Sequence, residues 1–278
     1  MTQELYDVVV IGAGPSGEVL AGRLAAAGKS VAIVEDRLVG GECSYWACMP
    51  SKALLRPAEA LAEARRVPGA TQAARGTLDV QAVLDRRDEI VHGVSDEAQL
   101  PWLEDKGITL VRGHARLTGE RTLAVGEREL AASEAIVVAT GSAPAIPPVP
   151  GLREAAPWTN REITVAGHVP PRLLILGGGV VGCELAQAFR RLGSEVVLVQ
   201  HGDQVLGKEE PFAAAQVEAG LADAGVVGRI DPDRGRGGVA GQIAFRGRDL
   251  HERPRIQDRS SGGKARGDGH DDQRRTST

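Results

Sequence analysis

The sequence carries no marked excess of charge of either sign, no long apolar run, and too few cysteines to staple a fold. Over 278 residues, 33 Lys and Arg stand against 37 Asp and Glu, for a net charge of −4. A balance so close to neutral leaves no basic footprint for nucleic acid or an anionic membrane surface. No apolar stretch approaches the roughly 20 residues that a spanning helix needs. The apolar opening, residues 6–19, follows Glu4 rather than a basic segment and is broken by Gly12, Gly14 and Pro15, so it reads as strand and turn, not as a signal peptide. Three cysteines in a chain of this length exclude a disulfide-rich secreted scaffold. Any pair among them points instead to catalysis or metal binding in a reducing compartment, with the cytoplasm as the default. What is present is 42% hydrophobic residues, enough to bury one sizeable core or two.

Those apolar residues follow the two periods of regular structure. A continuous run at 6–11, small and apolar residues at helical spacing over 16–27, and a second run at 30–34 make a strand-helix-strand unit, the opening of a doubly wound parallel sheet. Helical spacing returns over 51–66 and 80–92, while short alternating segments at 108–112, 122–125 and 135–139 read as strands. The proline-rich stretch 144–150, closed by Gly151, continues neither element and sets a domain boundary. A second strand-helix-strand unit follows at 172–176, 180–192 and 195–199. From about Gly228 onward Arg, Gly and Asp dominate, which predicts a disordered tail. The expected organisation is an α/β chain with one domain over 1–150, a partial second domain over 151–227, and a tail over 228–278.

Between the first strand and its helix stands Gly12-Ala13-Gly14-Pro15-Ser16-Gly17, with Glu35 closing the second strand. Gly12 permits a tight turn, Gly14 lets the backbone approach a pyrophosphate, and Gly17 lets the helix pack on the sheet. The first N–H groups of the helix would face the phosphates, and Glu35 would accept from ribose hydroxyls. A glycine-rich turn without a ligand is the plainer alternative; the agreement of context, spacing and acid stands against it. The second unit repeats the fingerprint as Gly177-Gly178-Gly179-Val180-Val181-Gly182-Cys183-Glu184. There Gln200 occupies the place where an acid would favour NADH and an arginine NADPH, and it decides for neither. His201 and Lys208 nearby could assist a phosphate but read more readily as plain surface residues, and Cys183 reads as packing.

A longer motif runs Gly40-Gly41-Glu42-Cys43-Ser44-Tyr45-Trp46-Ala47-Cys48-Met49-Pro50-Ser51-Lys52. Residues five apart in an ideal helix have Cα atoms roughly 8.6 Å apart, and a disulfide needs about 7 Å or less. A bridged pair therefore requires Cys43 to lie at a distorted helix start, where the terminus lowers a thiol's pKa. Two buried free thiols, or half of a zinc site, remain alternatives from these residues alone, although no second Cys/His cluster accompanies them.

The order Gly-Gly-x-Cys, four residues, then Cys-x-Pro-Ser-Lys after an N-terminal fingerprint resembles the class I FAD-dependent pyridine nucleotide-disulfide oxidoreductases, among them dihydrolipoamide dehydrogenase and mercuric, glutathione and mycothione reductases. Val138-Ala139-Thr140-Gly141-Ser142 resembles the family segment that returns beside the flavin, and the likeness runs from Tyr6 to about Val227. It implies FAD at Gly12, Gly14, Pro15, Ser16, Gly17, Glu35, Gly41, Lys52, Thr140 and Gly141, and NAD(P)H at Gly177, Gly179, Gly182 and Gln200. It also implies a redox-active disulfide, with Cys43 as the interchange thiol that attacks the acceptor and Cys48 as the thiol facing the flavin. Lys52 resembles the family lysine near the reactive end of the isoalloxazine, paired with Glu184. Tyr45 and Ala47 depart from the usual Asn and Gly. The implied fold is two Rossmann-like units, FAD then NAD(P), the second incomplete. The implied activity is electron transfer from NAD(P)H through FAD to Cys43/Cys48 and on to a small-molecule disulfide or related acceptor.

Full-length relatives are homodimers that finish in a dimerisation domain, with a His-Glu dyad serving the interchange thiol across the dimer. Neither feature has a counterpart in this sequence, and His251 and His270 lack the surrounding pattern. The expectation is a truncated or frame-shifted chain, impaired in turnover. A nucleotide-binding remnant and a flavin reductase without disulfide turnover are the rival expectations. No metal, nucleic-acid or membrane partner is expected.

Overall fold

The computed structural model describes residues 3–231, which fall within one compact unit. Along the chain run β1 (Glu4–Ile11), α1 (Pro15–Ala26), β2 (Val31–Glu35), α2 (Gly41–Tyr45), α3 (Cys48–Arg66), α4 (Val80–Ile90), α5 (Leu100–Asp105), β3 (Thr109–Arg112), β4 (Ala115–Gly119), β5 (Thr122–Val125), β6 (Arg128–Val138), α6 (Asn160–Thr164), β7 (Arg172–Leu176), α7 (Val180–Arg191), β8 (Glu195–His201), α8 (Pro211–Asp223) and β9 (Val227–Asp231). Among the described residues no helix is long and apolar enough to cross a membrane.

β1 is central because its valines are buried on both faces, Val8 and Val10 in one core and Val9 in the other. The first sheet has the order β3-β2-β1-β6-β5-β4. Its first four strands are parallel, and β5 and β4 return antiparallel. On one face Ala21 of α1 and Leu103 of α5 pack with Val8, Val10, Val31 and Ile33. On the other, Val9, Ala32 and Val34 meet Leu123 and Val125 of β5 and Leu130 of β6. The second sheet, β7-β8-β9, is parallel throughout. Its core is shared: Leu54 and Leu55 of α3 and Val83 and Leu84 of α4 join Cys183, Leu185 and Phe189 of α7 and Leu198 of β8. Helices from the first half of the chain thus cover apolar surface belonging to the second sheet.

The structure departs from the sequence reading at several elements. The cysteine motif does not form one helix with a distorted start, since α2 and α3 are separated by Trp46 and Ala47, both outside helical geometry. β6 begins well before residue 135, because Arg128, Glu129 and Ser133 sit on exposed positions and interrupt the apolar pattern without interrupting the ladder. β4 is exposed from Arg116 to Gly119 and so shows no apolar alternation, and α6 is too short to show a period. β9 continues past Gly228 to Asp231, because its pairing with β8 is made by main-chain groups that need no apolar side chains. The remainder of the expected tail, from residue 232, lies outside the described residues.

Candidate active site

The two fingerprint turns are built alike. Gly12 and Gly177 have φ of +102° and +112°, a region open to glycine and strained for other residues. Gly12 N–H donates to Val34 O and Gly177 N–H to Val199 O, each at 2.8 Å, so each turn is tied to the neighbouring strand. The following helices start on Gly14 and Gly179, neither with a side-chain cap, and Pro15 and Ser16 lie exposed at the start of α1. A Cβ on Gly17 would lie 1.9 Å from Gly12 O, and one on Gly182 2.0 Å from Gly177 O. Both helices therefore pack against their own turns at a distance only glycine allows.

The residue closing the second strand of each unit reaches back to its turn. Glu35 Oε2 accepts from Ala13 N–H at 2.8 Å and Oε1 from Arg37 N–H at 2.8 Å. At the matching place Gln200 Oε1 accepts from Gly178 N–H at 2.6 Å. The amide keeps the bond that orders the turn and omits the charge. Beside the first turn the chain returns after β6: a Cβ on Gly12 would meet Ala139 O at 2.4 Å and Thr140 N at 3.1 Å. Gly141 follows with φ +68°.

The cysteine motif touches this first turn through glycine. A Cβ on Gly41 would sit 2.7 Å from the Cα of Gly14. Cys43 lies within the one-turn helix α2, whereas Cys48 is the first residue of α3. Both thiols are free, Cys43 half-buried and Cys48 exposed, and they are hydrogen-bonded to each other. Burial, followed by that bond and the proximity of Cys48, pushes the Cys43 thiol up to about 11. The direction is opposite to the lowering expected at a helix start, because burial of the thiol disfavours its charged form.

Two sets of contacts tie the motif to later parts of the chain. Lys52 Nζ donates to Glu184 Oε1 at 2.6 Å, and Ser51 Oγ donates to Glu184 Oε2 at 3.1 Å, joining α3 to α7. On the other side, Arg161 Nε donates to Glu42 Oε1 at 2.7 Å. Asn160 Nδ2 donates to Glu42 Oε2 and to Trp46 O, both at 2.9 Å. Sequence reasoning gave no role to Ser51, Glu42, Asn160 or Arg161. Only the Thr159 to Glu162 spacing of a capping box marked the start of α6, and nothing in one sequence connects it to Glu42.

The sequence family described as pyridine nucleotide-disulphide oxidoreductase matches residues 6–231. The chain belongs to that family. It is 31% identical over 222 residues to the mercuric reductase of Staphylococcus aureus, covering 80% of this chain and 40% of that protein. With the dihydrolipoyl dehydrogenase of Thermus scotoductus it shares 35% identity over 223 residues, 80% of this chain and 48% of that one. Among solved structures it resembles RclA, a HOCl-induced flavoprotein disulfide reductase from Escherichia coli, with a TM-score of 0.67 and 27% identity over 81% of this chain and 49% of that one. The chain thus spans about half the length, or less, of the relatives it matches.

Pyridine nucleotide-disulphide oxidoreductases of this kind use FAD and NAD(P)H. The residues present fit FAD. The backbone at Gly14 is open, a Cβ there meeting nothing nearer than Gly41 Cα at 3.9 Å, the α1 terminus has no side-chain cap, and each Glu35 oxygen retains a lone pair beyond its backbone bond.

Proposed function

We infer that this chain carries the cofactor-facing part of a dithiol oxidoreductase, in which two electrons pass from NAD(P)H through FAD to Cys43/Cys48 and on to a small disulfide or a soft metal ion. The observation that carries this reading is the hydrogen-bonded thiol pair, set on the segment whose Gly41 abuts the nucleotide turn at Gly14.

The chain's own residues divide the work. Gly12, Gly14 and Gly17, with the N–H groups from Ser16 onward in α1, receive a pyrophosphate, and Glu35 receives ribose hydroxyls. Gly177, Gly179 and Gly182 repeat this for the nicotinamide nucleotide, with Gln200 at the ribose. FAD, when bound, supplies the two-electron relay between nicotinamide and sulfur. Lys52, oriented by Glu184 and Ser51, presents a cation to the reactive end of the flavin. Reduction of the disulfide consumes two electrons and two protons and yields two thiols. Cys48 takes the flavin-facing role and Cys43 the exchange role. The metal alternative draws on the mercuric reductases and on RclA, of which a Cu(II) complex is known.

Reconstitution with FAD followed by anaerobic NAD(P)H titration tests this. The expected result is flavin reduction with a gain of two titratable thiols per chain, abolished in Cys48→Ser. A second reading, flavin reduction without thiol exchange, is favoured by the raised pKa of Cys43. Flavin bleaching with no gain in thiols would support it against the first.

A further inference from the structure

α6 holds the cysteine segment from the side opposite Lys52. Glu42 precedes Cys43 directly, and its carboxylate is met by two nitrogens of the Arg161 guanidinium, Nε at 2.7 Å and a second shorter contact. The same guanidinium lies 4.8 Å from the centre of the Trp46 ring, and Asn160 bridges Glu42 to the Trp46 carbonyl. One turn of helix therefore grips the residue before Cys43 and the break that leads to Cys48. α6 is itself fixed at both ends. Thr159 and Glu162 form a capping box at its start. At its end the guanidinium of Arg87, only 1% exposed, donates to Thr164 O at 2.7 Å and to Ala166 O at 3.0 Å.

We propose that Arg161 is a positioning residue for the Cys43/Cys48 pair, acting on Cys43 by cancelling the charge of Glu42, the residue before it. The proposal rests on reading that pair as the redox centre. Cys48 on α3 and Glu18 on α1 act on Cys43, and Glu42 precedes it on its own helix with Arg161 of α6 against that carboxylate. Glu18 already disfavours a thiolate at Cys43. Glu42 does not add to this while Arg161 faces it, since the guanidinium, two of its nitrogens on one carboxylate oxygen, leaves the pair neutral. Without the guanidinium, a second carboxylate would act on the exchange thiol.

The test is alkylation of Cys43 by iodoacetamide, followed by peptide mass spectrometry in the full chain carrying Cys48→Ser. Arg161→Gln is expected to slow the reaction about three- to tenfold at pH 7.5, the effect of raising the thiol pKa by half to one unit. Adding Glu42→Gln to that variant is expected to restore the rate to within about twofold, because no charge is then left uncancelled. Arg161→Lys keeps the charge and should stay close to the parent. A purely structural role would leave the double variant as slow as the single one, and that result overturns the proposal, as does an unchanged rate in Arg161→Gln. Buried Cys183 reports folding in each sample. If it becomes reactive in Arg161→Gln, Glu42→Gln alone decides: the freed cation should accelerate alkylation about three- to tenfold, and no acceleration overturns the proposal. Failure of the Cys48-containing chain to form the Cys43–Cys48 bridge with diamide would instead count against the redox reading itself.

Discussion

At the scale of single residues, one carboxyl is placed at a cost. Glu18 lies in the first part of α1, where burial and then the charge of Glu35 push it up from the ordinary 4.5 to about 7. Between these values the folded chain holds a proton that the unfolded chain has released, so stability falls as pH rises through that window and stays lower above it. The full shift corresponds to about 3 kcal/mol, and the water that reaches Glu18 screens this to about 1 kcal/mol. Glu18→Gln is therefore expected to stabilise the flavin-free chain by about 1 kcal/mol at pH 8 and by almost nothing at pH 4. Urea unfolding at the two pH values checks it, and an equal effect at both would show that the charge is not responsible. The fingerprint glycines make a second prediction at this scale. Gly182→Ala forces a methyl against Gly177 O, and Gly17→Ala does the same against Gly12 O. The first is expected to weaken NAD(P)H binding about tenfold or more while flavin retention persists, and the second the reverse. Calorimetric titration of each nucleotide against both variants separates them.

At the scale of elements, legibility followed the source of the signal. The fingerprint turns were readable because their glycines are demanded locally, by positive φ at Gly12 and Gly177 and by helix-on-turn contacts at Gly17 and Gly182. β1 and β7 were readable because each carries an unbroken apolar run, residues 8–11 and 173–176, although no residue of β7 is fully buried. The break between α2 and α3 was not, since Ala47, at φ −138° and ψ −96°, is itself no breaker, and the Trp46 carbonyl left without a partner by Pro50 is met by Asn160, remote in sequence. α6 escaped for the same reason: five residues are too few for a helical period, and its partners Glu42 and Arg87 are remote in sequence. Its capping box nevertheless makes it testable. Thr159→Ala removes the side-chain acceptor for Arg161 N–H, and is expected to cost about 1 kcal/mol, or roughly 2–4 °C in Tm for a chain of this size. Differential scanning calorimetry measures it. An unchanged Tm would mean that Arg87 alone holds α6 in place.

At the scale of the whole described molecule, the decisive feature is that the second sheet does not close its own core. Phe189 of α7 has no exposed surface and lies in a cluster whose other members include Leu54 and Leu55 from the cysteine helix and Val83 and Leu84 from α4. The ion pair of Lys52 with Glu184 spans the same contact at its polar edge. Apolar surface shared in this way couples the stabilities of the elements that share it, because neither side can expose its half without losing the other's burial. Phe189→Ala should therefore cost about 3–5 kcal/mol and lower the unfolding of the first sheet along with the second. Hydrogen exchange read by mass spectrometry distinguishes the possibilities. Amides in β1 and β2, far from Phe189 in sequence, should lose protection together with those in β7 and β8. Faster exchange confined to β7, β8 and α7 would show that α3 and α4 cover the second sheet without being held by it, and that the two sheets unfold independently.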